Sequence, residues 1–449
     1  MGRYFGTDGI RGVANRELTV PLAFRVGCAA ACALCSETAH KPRILIGKDT
    51  RISSDMLEAA LVSGATAAGA DVELLGVIPT PAVAYHTVKS GADMGIVISA
   101  SHNPYEYNGI KMFSAEGYKL NDALEARIEE LIDHSDEIGL KTGGEIGRVR
   151  QMQALACEEY AAHLRALIEG DYQGLRIALD CANGASSGVI AKVLEGSGAV
   201  FDIAFNEPDG VNINSGCGST HLAALSRRVV EGGYDVGIAF DGDADRCLAV
   251  DETGKLIDGD HIMAICASYL KRENRLKNDT FVATVMSNLG LHFFGREQGL
   301  NILAADVGDR FVLEKMQQGG HVLGGEQSGH VIFLEYATTG DGELTAVQFL
   351  NILKKSGKKA SELNAMVREF PQILINVKVP LERKATIAQE APVKAAIAAE
   401  EAAFGEEGRV LVRPSGTEAL VRVMVEGKTD ALVRGAAERI VKVIEETLK

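Results

Sequence analysis

The sequence predicts an α/β fold divided into several domains. Short apolar segments, each leading into a small polar loop, recur along the chain, and the stretches between them have helical character. This alternation is typical of α/β domains, in which ligands bind outside the strand ends. The chain has 449 residues, more than one hydrophobic core accommodates, so we expect two to four domains. The apolar segments that fit this description best are 96–98, 176–180, 237–240 and 302–305.

The loop after segment 96–98 contains a candidate nucleophile. The strand stops at Ser101, His102 and the pair Asn103-Pro104. Asn-Pro indicates a turn, because proline fixes its own φ and disfavours the helical region for the residue before it. A serine hydroxyl at the end of a rigid strand, beside a histidine, suits covalent catalysis. The alternative is a polar strand end that makes only turn hydrogen bonds.

The loop after segment 237–240 predicts a metal site. Asp241, Asp243 and Asp245 stand at alternate positions, separated by small residues. Three neighbouring carboxylates raise one another's pKa by repulsion, and a hard cation such as Mg²⁺ removes that cost.

Three other interpretations of this acidic loop are weaker. An EF-hand would use Glu252 at position twelve, but it needs glycine at position six, where Arg246 stands, and a helix before the loop. A solvated acidic turn without metal is a second alternative. An aspartyl-phosphate enzyme is a third, which the better nucleophile Ser101 weakens.

Two further loops offer ligand-binding groups. In the glycine-rich segment 324–330, Glu326, Ser328 and His330 alternate, so in an extended loop they face one way and suit sugar hydroxyls. Near the C-terminus, guanidinium and hydroxyl groups around a glycine predict an anion site that suits phosphate. The residues of this second loop are Arg413, Ser415, Gly416, Thr417 and Arg422. Each motif is weak alone, and the four together are much stronger.

These motifs together resemble those of the α-D-phosphohexomutases, in order and over nearly the whole chain. The matching segments are 3–12, 99–104, 108–111, 241–246, 325–330 and 413–418. Glutamine at position 327 resembles the glucosamine branch of the family at this position of the loop, whereas the phosphomannomutase/phosphoglucomutase branch usually has Met or Glu there.

The resemblance implies three related α/β domains with mixed sheets and a smaller C-terminal α+β domain, arranged around a central cleft. We expect them at 1–153 with the phosphoserine loop, 154–254 with the metal loop, 255–369 with the sugar-binding loop, and 370–449 with the phosphate-binding loop.

The resemblance also implies an activity. Ser101 would be a phosphoserine that interconverts glucosamine 6-phosphate and glucosamine 1-phosphate through a bisphosphorylated sugar, feeding UDP-N-acetylglucosamine and cell-wall precursor synthesis. One Mg²⁺ would be held by Asp241, Asp243, Asp245 and a phosphoserine oxygen. The alternatives are action on mannose and glucose phosphates, and a sugar-phosphate sensor without turnover.

The implied site residues fall into two groups. Candidates for proton transfer and charge stabilisation, which the sequence does not rank, are Arg11, Lys111, Arg246 and His330. Candidates for substrate binding are His102, Glu326, Ser328, Arg413, Ser415, Gly416, Thr417 and Arg422.

Composition limits the partners. The formal net charge of −15 argues against nucleic acid, whose backbone requires clustered Lys and Arg. The sequence has neither a membrane span nor a signal-peptide core, so we expect a cytoplasmic enzyme without a membrane partner. Its expected partner is a hexosamine phosphate substrate. The sequence does not fix the oligomeric state, and a homodimer is the assembly considered.

The eight cysteines predict neither a cluster nor disulfides. Cys28, Cys32 and Cys35 have a spacing that superficially suggests an iron–sulfur site, but their neighbours are small and apolar. On a helix the three thiols share one face, the usual place for buried cysteines. The others show no pairing pattern, as expected for the cytoplasm.

Overall fold

The computed structural model describes residues 3–6, 8–35, 40–415 and 419–449. The chain forms two compact units. The first unit runs to Val285 and resumes over Asn301–Ala365, and the second comprises Met286–Leu300 and Met366–Lys449. Gly416 and Thr417, predicted to bind phosphate, lie outside the described residues.

The strands are short, and many consist of apolar residues buried on both faces. They are β1 Ile10–Val13, β2 Arg43–Lys48, β3 Asp71–Val77, β4 Met94–Ile98, β5 Tyr107–Ser114, β6 Val149–Gln151, β7 Arg176–Asp180, β8 Val200–Ala204, β9 Val236–Phe240, β10 Cys247–Asp251, β11 Leu256–Ile257, β12 Thr280–Thr284, β13 Asn301–Ala305, β14 Leu323–Gly325, β15 Val331–Phe333, β16 Gln372–Lys378, β17 Gly408–Pro414 and β18 Leu420–Gly427.

The helices alternate with these strands, and several begin at a side chain that accepts a hydrogen bond from the first turn, such as Asn121, Asp258 and Asp341. They are α1 Val20–Cys35, α2 Ile52–Ala67, α3 Thr80–Ser90, α4 Asp122–Asp133, α5 Gln153–Arg165, α6 Ile190–Leu194, α7 Ala223–Gly232, α8 Gly259–Arg272, α9 Leu289–Gln298, α10 Asp309–Gly319, α11 Gly342–Ser356, α12 Ala360–Asn364, α13 Ala391–Phe404 and α14 Asp430–Thr447.

The described part of the first unit contains three mixed sheets that repeat one arrangement. Their strand orders are β1-β5-β4-β2-β3-β6, β11-β10-β9-β7-β8 and β13-β12-β14-β15. Each contains a run of three adjacent parallel strands, β4-β2-β3, β9-β7-β8 and β13-β12-β14, to which β6 adds a fourth in the first sheet. In each run the third strand in sequence, β4, β9 or β14, pairs with the strand that follows it in antiparallel fashion. The connections at this turn are β4–β5, β9–β10 and β14–β15. The predicted phosphoserine, metal and sugar loops are these three connections, so the fold places them at equivalent positions.

Helices α1 and α2 pack closely against each other in the first unit. A Cβ on Gly27 would lie 2.2 Å from the Leu61 carbonyl oxygen, and one on Gly64 would lie 2.0 Å from that of Phe24. Glycine is therefore required at both contacts. Cys28 is buried here and donates its thiol proton to the Gly64 carbonyl at 3.3 Å. The thiol of Cys28 is thus a packed side chain of this helix contact. Among the described residues, the group with metal-ligand geometry is the acidic triad at 241–245.

The second unit contains an antiparallel sheet of order β16-β18-β17 within the described residues. Its core combines alternate valines of β18 with one face of α14, including Val433, Ile440 and Ile444. This α+β arrangement agrees with the fold class predicted for the C-terminal region.

The predicted elements agree with the structure where local patterns were strong. The apolar segments 96–98, 176–180, 237–240 and 302–305 lie within β4, β7, β9 and β13. A search of the described helices for one able to cross a bilayer, judged by length and hydropathy, identifies none.

Candidate active site

Ser101 follows the end of β4 and is held in an unusual backbone conformation. Its φ is 52°, in the left-handed region that non-glycine residues rarely adopt. The residue is buried, and its hydroxyl donates a hydrogen bond to Asp241 Oδ2 at 2.5 Å. His102 Nδ1 lies 3.4 Å from the same hydroxyl. The predicted nucleophile and the predicted metal loop are therefore in direct contact.

The acidic loop joins β9 to β10, and each of its three aspartates offers an oxygen within 4.8 Å of the others. Burial, and then repulsion from Asp245 and Asp243, raises the pKa of Asp241 well above its usual range. Asp243 Oδ1 and Asp245 Oδ1 are buried without a hydrogen-bond partner. Unsatisfied buried oxygens in a repelling cluster fit a divalent cation, which satisfies both requirements at once.

Lys111 reaches this cluster from β5. Its Nζ lies 2.7 Å from Asp243 Oδ2, 3.3 Å from Asp8 Oδ2 and 3.5 Å from Asp245 Oδ2. Burial alone would lower the pKa of Lys111, but attraction to these carboxylates outweighs it and raises the pKa. The same ion pair lowers the pKa of Asp243 against the effect of its burial. Lys111 is therefore a fixed cation beside the metal loop.

A chain of alternating charges extends from Lys111. Asp8 lies between Lys111, Arg11 and Lys119, and Lys119 also pairs with Asp309. Burial would raise the pKa of Asp8, yet the three cations together hold it well below its usual range. Arg11 thus contacts this chain through Asp8. Sequence reasoning missed Asp8, Lys119 and Asp309.

Arg246 adds positive charge to the site, and His102 adds a neutral ring. Burial would lower the pKa of Arg246, but Asp241 and Asp245 raise it overall. The pKa of His102 falls to about 4 through burial, followed by repulsion from Arg246 and Arg11. At neutral pH, His102 is thus an uncharged hydrogen-bonding group beside Ser101.

The sugar-binding loop forms a tight turn between β14 and β15, and not the extended loop expected from the sequence. Ser328 donates to Glu326 Oε2 at 3.2 Å, so these two side chains lie together. Glu326 also accepts a bond from the Gly308 amide at 3.1 Å. The side chain of Gln327 donates to Asp258 Oδ2 at 3.0 Å, a partner that Glu326 and Ser328 do not share.

His330 is buried at the end of this loop. Its Nε2 lies 3.7 Å from Asp309 Oδ2, and both ring nitrogens are buried without a hydrogen-bond partner. It lines a cavity of about 180 Å³ together with Lys119 and Asp309. His330 therefore lies beside Lys119 and Asp309, the far end of the chain of alternating charges that begins at Lys111.

Two of the predicted phosphate-binding residues of the second unit, Arg413 and Arg422, lie on paired strands. Arg413 of β17 and Arg422 of β18 are directly opposite in the antiparallel register. Burial, and then repulsion from Arg422, lowers the pKa of Arg413. Like charges directly opposite each other destabilise a sheet, and a bound anion would offset that repulsion. Ser415 is buried at the end of β17. This pair of guanidinium groups therefore favours anion binding.

The described residues of the first unit bring together a strained, buried hydroxyl, a carboxylate triad suited to a cation, and a fixed ammonium. Transfer of a phosphoryl group requires mainly positioning and compensation of charge, which these groups supply.

Comparison with known families decides the classification. Four domain models of one family, phosphoglucomutase/phosphomannomutase, match in succession. Alpha/beta/alpha domain I matches residues 2–139, domain II 158–254, domain III 258–370, and the C-terminal domain 374–443. The chain belongs to the phosphoglucomutase/phosphomannomutase family. It is therefore an isomerase of the phosphohexomutase type, and the family predicted from the motifs is confirmed.

Relatives of this chain within the family match it over all or nearly all of its length. The phosphoglucosamine mutase of Acetivibrio thermocellus is 55% identical over 449 residues, which is 100% of both chains. That of Ruminiclostridium cellulolyticum is 54% identical over 445 residues, 99% of both chains.

Solved structures of the family share the fold. A Burkholderia thailandensis phosphoglucomutase/phosphomannomutase family protein has a TM-score of 0.82 at 23% identity, covering 99% of this chain and 98% of its own. Aspergillus fumigatus N-acetylphosphoglucosamine mutase, solved in complex with GlcNAc-6P and magnesium, has a TM-score of 0.70 at 17% identity, covering 99% and 96%. The fold class predicted from the sequence is thereby confirmed.

Proposed function

We propose that this chain is a phosphoglucosamine mutase that interconverts glucosamine 6-phosphate and glucosamine 1-phosphate, with a phosphoserine at position 101 and one Mg²⁺. The contact of Ser101 Oγ with Asp241 at 2.5 Å carries the proposal, because it joins a nucleophile to a cation-binding triad. Relatives named phosphoglucosamine mutase, 50–55% identical over the whole chain, support the choice of substrate.

The first half-reaction transfers the phosphoryl group from Ser101 to the sugar. The O1 hydroxyl oxygen of glucosamine 6-phosphate attacks phosphorus, a new P–O bond forms, and the bond from phosphorus to Ser101 Oγ breaks. The proton of the sugar hydroxyl is relayed to Ser101 Oγ, which restores the serine hydroxyl and leaves a sugar bisphosphate. Lys111, held as a cation, compensates charge that develops on the transferring group.

The second half-reaction reverses these steps with the bisphosphate turned around. Ser101 Oγ attacks the phosphoryl group on O6, the P–O6 bond breaks, and the proton returns to O6. The residues that would hold Mg²⁺ are Asp241, Asp243, Asp245 and a phosphoserine oxygen, and the ion would supply positive charge at the transferring group. Glu326 and Ser328 bind sugar hydroxyls, and His102, Arg11, Arg246 and His330 complete the proposed site.

A comparison of substrates tests the proposal. We expect kcat/KM for glucosamine 6-phosphate to exceed that for glucose or mannose phosphates by at least about 10²-fold, because a site built to pair polar groups discriminates strongly between analogues. Coupled assays on the purified enzyme would measure all three. Equal efficiency would favour the phosphomannomutase/phosphoglucomutase activity. Absence of both turnover and phosphate on Ser101 would favour a sensor.

The paired arginines of the second unit give a further prediction. We propose that Arg413, Ser415 and Arg422, with Gly416 and Thr417, bind the phosphate of the substrate that is not reacting. Replacing Arg413 by glutamine is expected to raise KM and lower kcat, each by about 10-fold or more, since binding energy remote from the reacting bond is used to orient it. Steady-state kinetics would separate the two effects.

The control for this prediction is Arg434→Gln. Arg434 lies exposed on α14, so its loss is expected to change neither constant. A change confined to KM in Arg413→Gln would contradict the orienting role. Unchanged kinetics would contradict phosphate binding altogether.

We also propose the cytoplasm as the compartment, and a homodimer that needs neither nucleic acid nor membrane. The support is chemical, since the cysteines whose side chains are described are free thiols, most of them buried. Free thiols are typical of a reducing compartment.

A further inference from the structure

Arg51, at the start of α2, is a buried guanidinium group directed at the backbone of the phosphoserine loop. Its Nη2 donates to the carbonyl oxygens of Ser101 and Asn103, both at 2.8 Å. Its Nη1 donates to the carbonyl oxygens of Pro104 and Tyr107, the latter at 3.1 Å. A single planar fork therefore binds four carbonyls spread along the loop from Ser101 to Tyr107.

Asp49, two residues before Arg51, belongs to the same hydrogen-bond network. Its Oδ2 accepts a bond from Arg51 Nε at 2.8 Å and another from the Ser99 hydroxyl at 2.6 Å. Ser99 Oγ in turn accepts the backbone N–H of Ser101 at 2.9 Å. Arg51 and Asp49 side chains are fully buried. The N–H and the carbonyl of Ser101 are thus both tied, through different bonds, to one buried ion pair.

A third side chain, Asn214 in the segment between β8 and α7, binds two of the same carbonyls. The amide of Asn214 donates to the Ser101 carbonyl at 2.9 Å and to that of Asn103 at 3.2 Å. Asn214 itself has a φ of 57°. The carbonyl oxygen of Ser101 therefore accepts bonds from two buried side chains, Arg51 and Asn214.

These bonds bear on the strain at Ser101. A serine at φ 52° persists only where its surroundings over-determine the conformation. If the loop relaxed to negative φ, the hydroxyl would turn away from Asp241. The hydrogen bonds of Arg51 and Asn214 to this loop go to backbone carbonyls, and Asp49 reaches the Ser101 amide through the Ser99 hydroxyl. Within the described residues the three side chains therefore act on Ser101 through its backbone.

We propose that Arg51 and Asp49, assisted by Asn214, are positioning residues that hold Ser101 in the left-handed conformation and so aim its Oγ into the metal loop. This inference rests on the proposed function, because it assigns these residues to the orientation of the phosphoserine. Their effect falls on the phosphoryl-transfer steps and not on the affinity for sugar phosphate.

Arg51→Lys tests the proposal, since lysine keeps the charge but has no planar fork to span four carbonyls. We expect kcat to fall by about 10²-fold, the scale of an ångström-sized misplacement, with KM changed by less than about 3-fold. Phosphorylation of Ser101 by glucose 1,6-bisphosphate, followed by intact-protein mass spectrometry, is expected to slow in parallel. Arg16→Lys, at an exposed arginine, is the matched control and should leave both rates unchanged.

Asn214→Ala keeps the proposal falsifiable if Arg51→Lys does not fold. It removes two bonds to the loop and leaves the ion pair of Arg51 and Asp49 intact. We expect kcat to fall by about 10-fold at unchanged KM, in protein whose melting temperature shows that it is folded. Unchanged kcat and unchanged phosphorylation of Ser101 in folded Asn214→Ala, or in folded Arg51→Lys, would overturn the positioning role.

Guanidinium rescue separates positioning from simple stabilisation. Millimolar guanidinium added to Arg51→Ala should restore part of kcat, whereas the same concentration of ammonium should not. Rescue by neither ion in folded protein would count against the proposal. The wild-type enzyme provides the reference: if it carries no phosphate on Ser101 and turns over no hexosamine phosphate, the proposed function fails, whatever the variants do.

Discussion

Replacing Ser101 by alanine is expected to abolish mutase turnover, by roughly 10⁴-fold or more, the scale seen when a covalent nucleophile is removed. The hydroxyl is the group that accepts and returns the phosphoryl group, and a neighbouring side chain cannot replace it at the same position. The Ser101 hydroxyl contributes a hydrogen bond to Asp241 at 2.5 Å and a longer contact with His102 Nδ1 at 3.4 Å. Its loss should therefore change the melting temperature little, and steady-state kinetics beside thermal unfolding would check both statements.

The matched control is Ser114→Ala. Ser114, at the end of β5, hydrogen-bonds Glu116 on the surface, so its removal should leave kcat unchanged. Mass spectrometry should find phosphate on wild-type protein and none on Ser101→Ala. Ser99→Ala is expected to lie between the two, because Ser99 bonds the Ser101 amide without carrying the phosphoryl group. A Ser101→Ala enzyme that retains turnover while Ser99→Ala loses it would assign the nucleophile to Ser99.

The phosphoserine and metal loops were accessible from the sequence because each follows a strongly apolar strand. A buried strand such as Val236–Phe240 fixes where the polar residues after it begin, and the acidic spacing of the loop then indicates a cation. The same logic located Ser101 after β4. What local patterns could not supply was the equivalence of the three connections, since it depends on strand order and not on residue identity.

Long-range partners were the part that sequence reasoning missed. Asp8 and Lys119 are separated by more than a hundred residues, yet they form an ion pair at 2.5 Å. Thr80 likewise donates to Asp243 at 2.7 Å across 163 positions. Lys119 and Thr80 lie outside every motif identified in the sequence, and Asp8, although it lies within segment 3–12, carried no predicted role. Asp49 and Arg51 offered one usable signal, because they follow the apolar strand β2 as Ser101 follows β4.

The side-chain directions in the sugar loop show a second limit. Alternation predicted that Glu326, Ser328 and His330 face one way in an extended loop. In the tight turn that forms, the amide of Glu326 bonds the carbonyl of His330 at 2.9 Å, so period-two reasoning no longer applies. Gln327, taken as a marker of substrate choice, bonds Asp258 at the start of α8. Its role in this structure is to fix the turn.

Removal of divalent metal is expected to abolish activity, and Mg²⁺ is expected to restore it best. The aspartate triad has two buried oxygens without a hydrogen-bond partner, and a hard cation with oxygen ligands satisfies them. After dialysis against EDTA, turnover should fall to background and recover on titration with Mg²⁺. Full activity in excess EDTA would exclude a metal requirement.

Asp245→Asn is the sharpest variant for this site. Asp243 also pairs with Lys111 and accepts a bond from Thr80, and Asp241 contacts Ser101, so replacing either disturbs more than the cation. Asp245 has the looser contact with Lys111, at 3.5 Å. We expect Asp245→Asn to weaken Mg²⁺ binding by at least about 10-fold in calorimetry and to lower kcat at fixed Mg²⁺.

In the metal-free protein, Asp245→Asn is expected to affect the melting temperature differently from the way it affects Mg²⁺ binding. Without a cation the three carboxylates repel one another, so metal-free Asp245→Asn should melt no lower than metal-free wild type. Added Mg²⁺ should then raise the melting temperature of the wild type more than that of the variant, because a ligand stabilises the state that binds it in proportion to its affinity. Asp136→Asn, on the exposed surface, should behave as wild type in every measurement. Equal stabilisation of Asp245→Asn and wild type by Mg²⁺ would remove Asp245 from the ligand set, while loss of binding only in that variant would assign the cation to this loop.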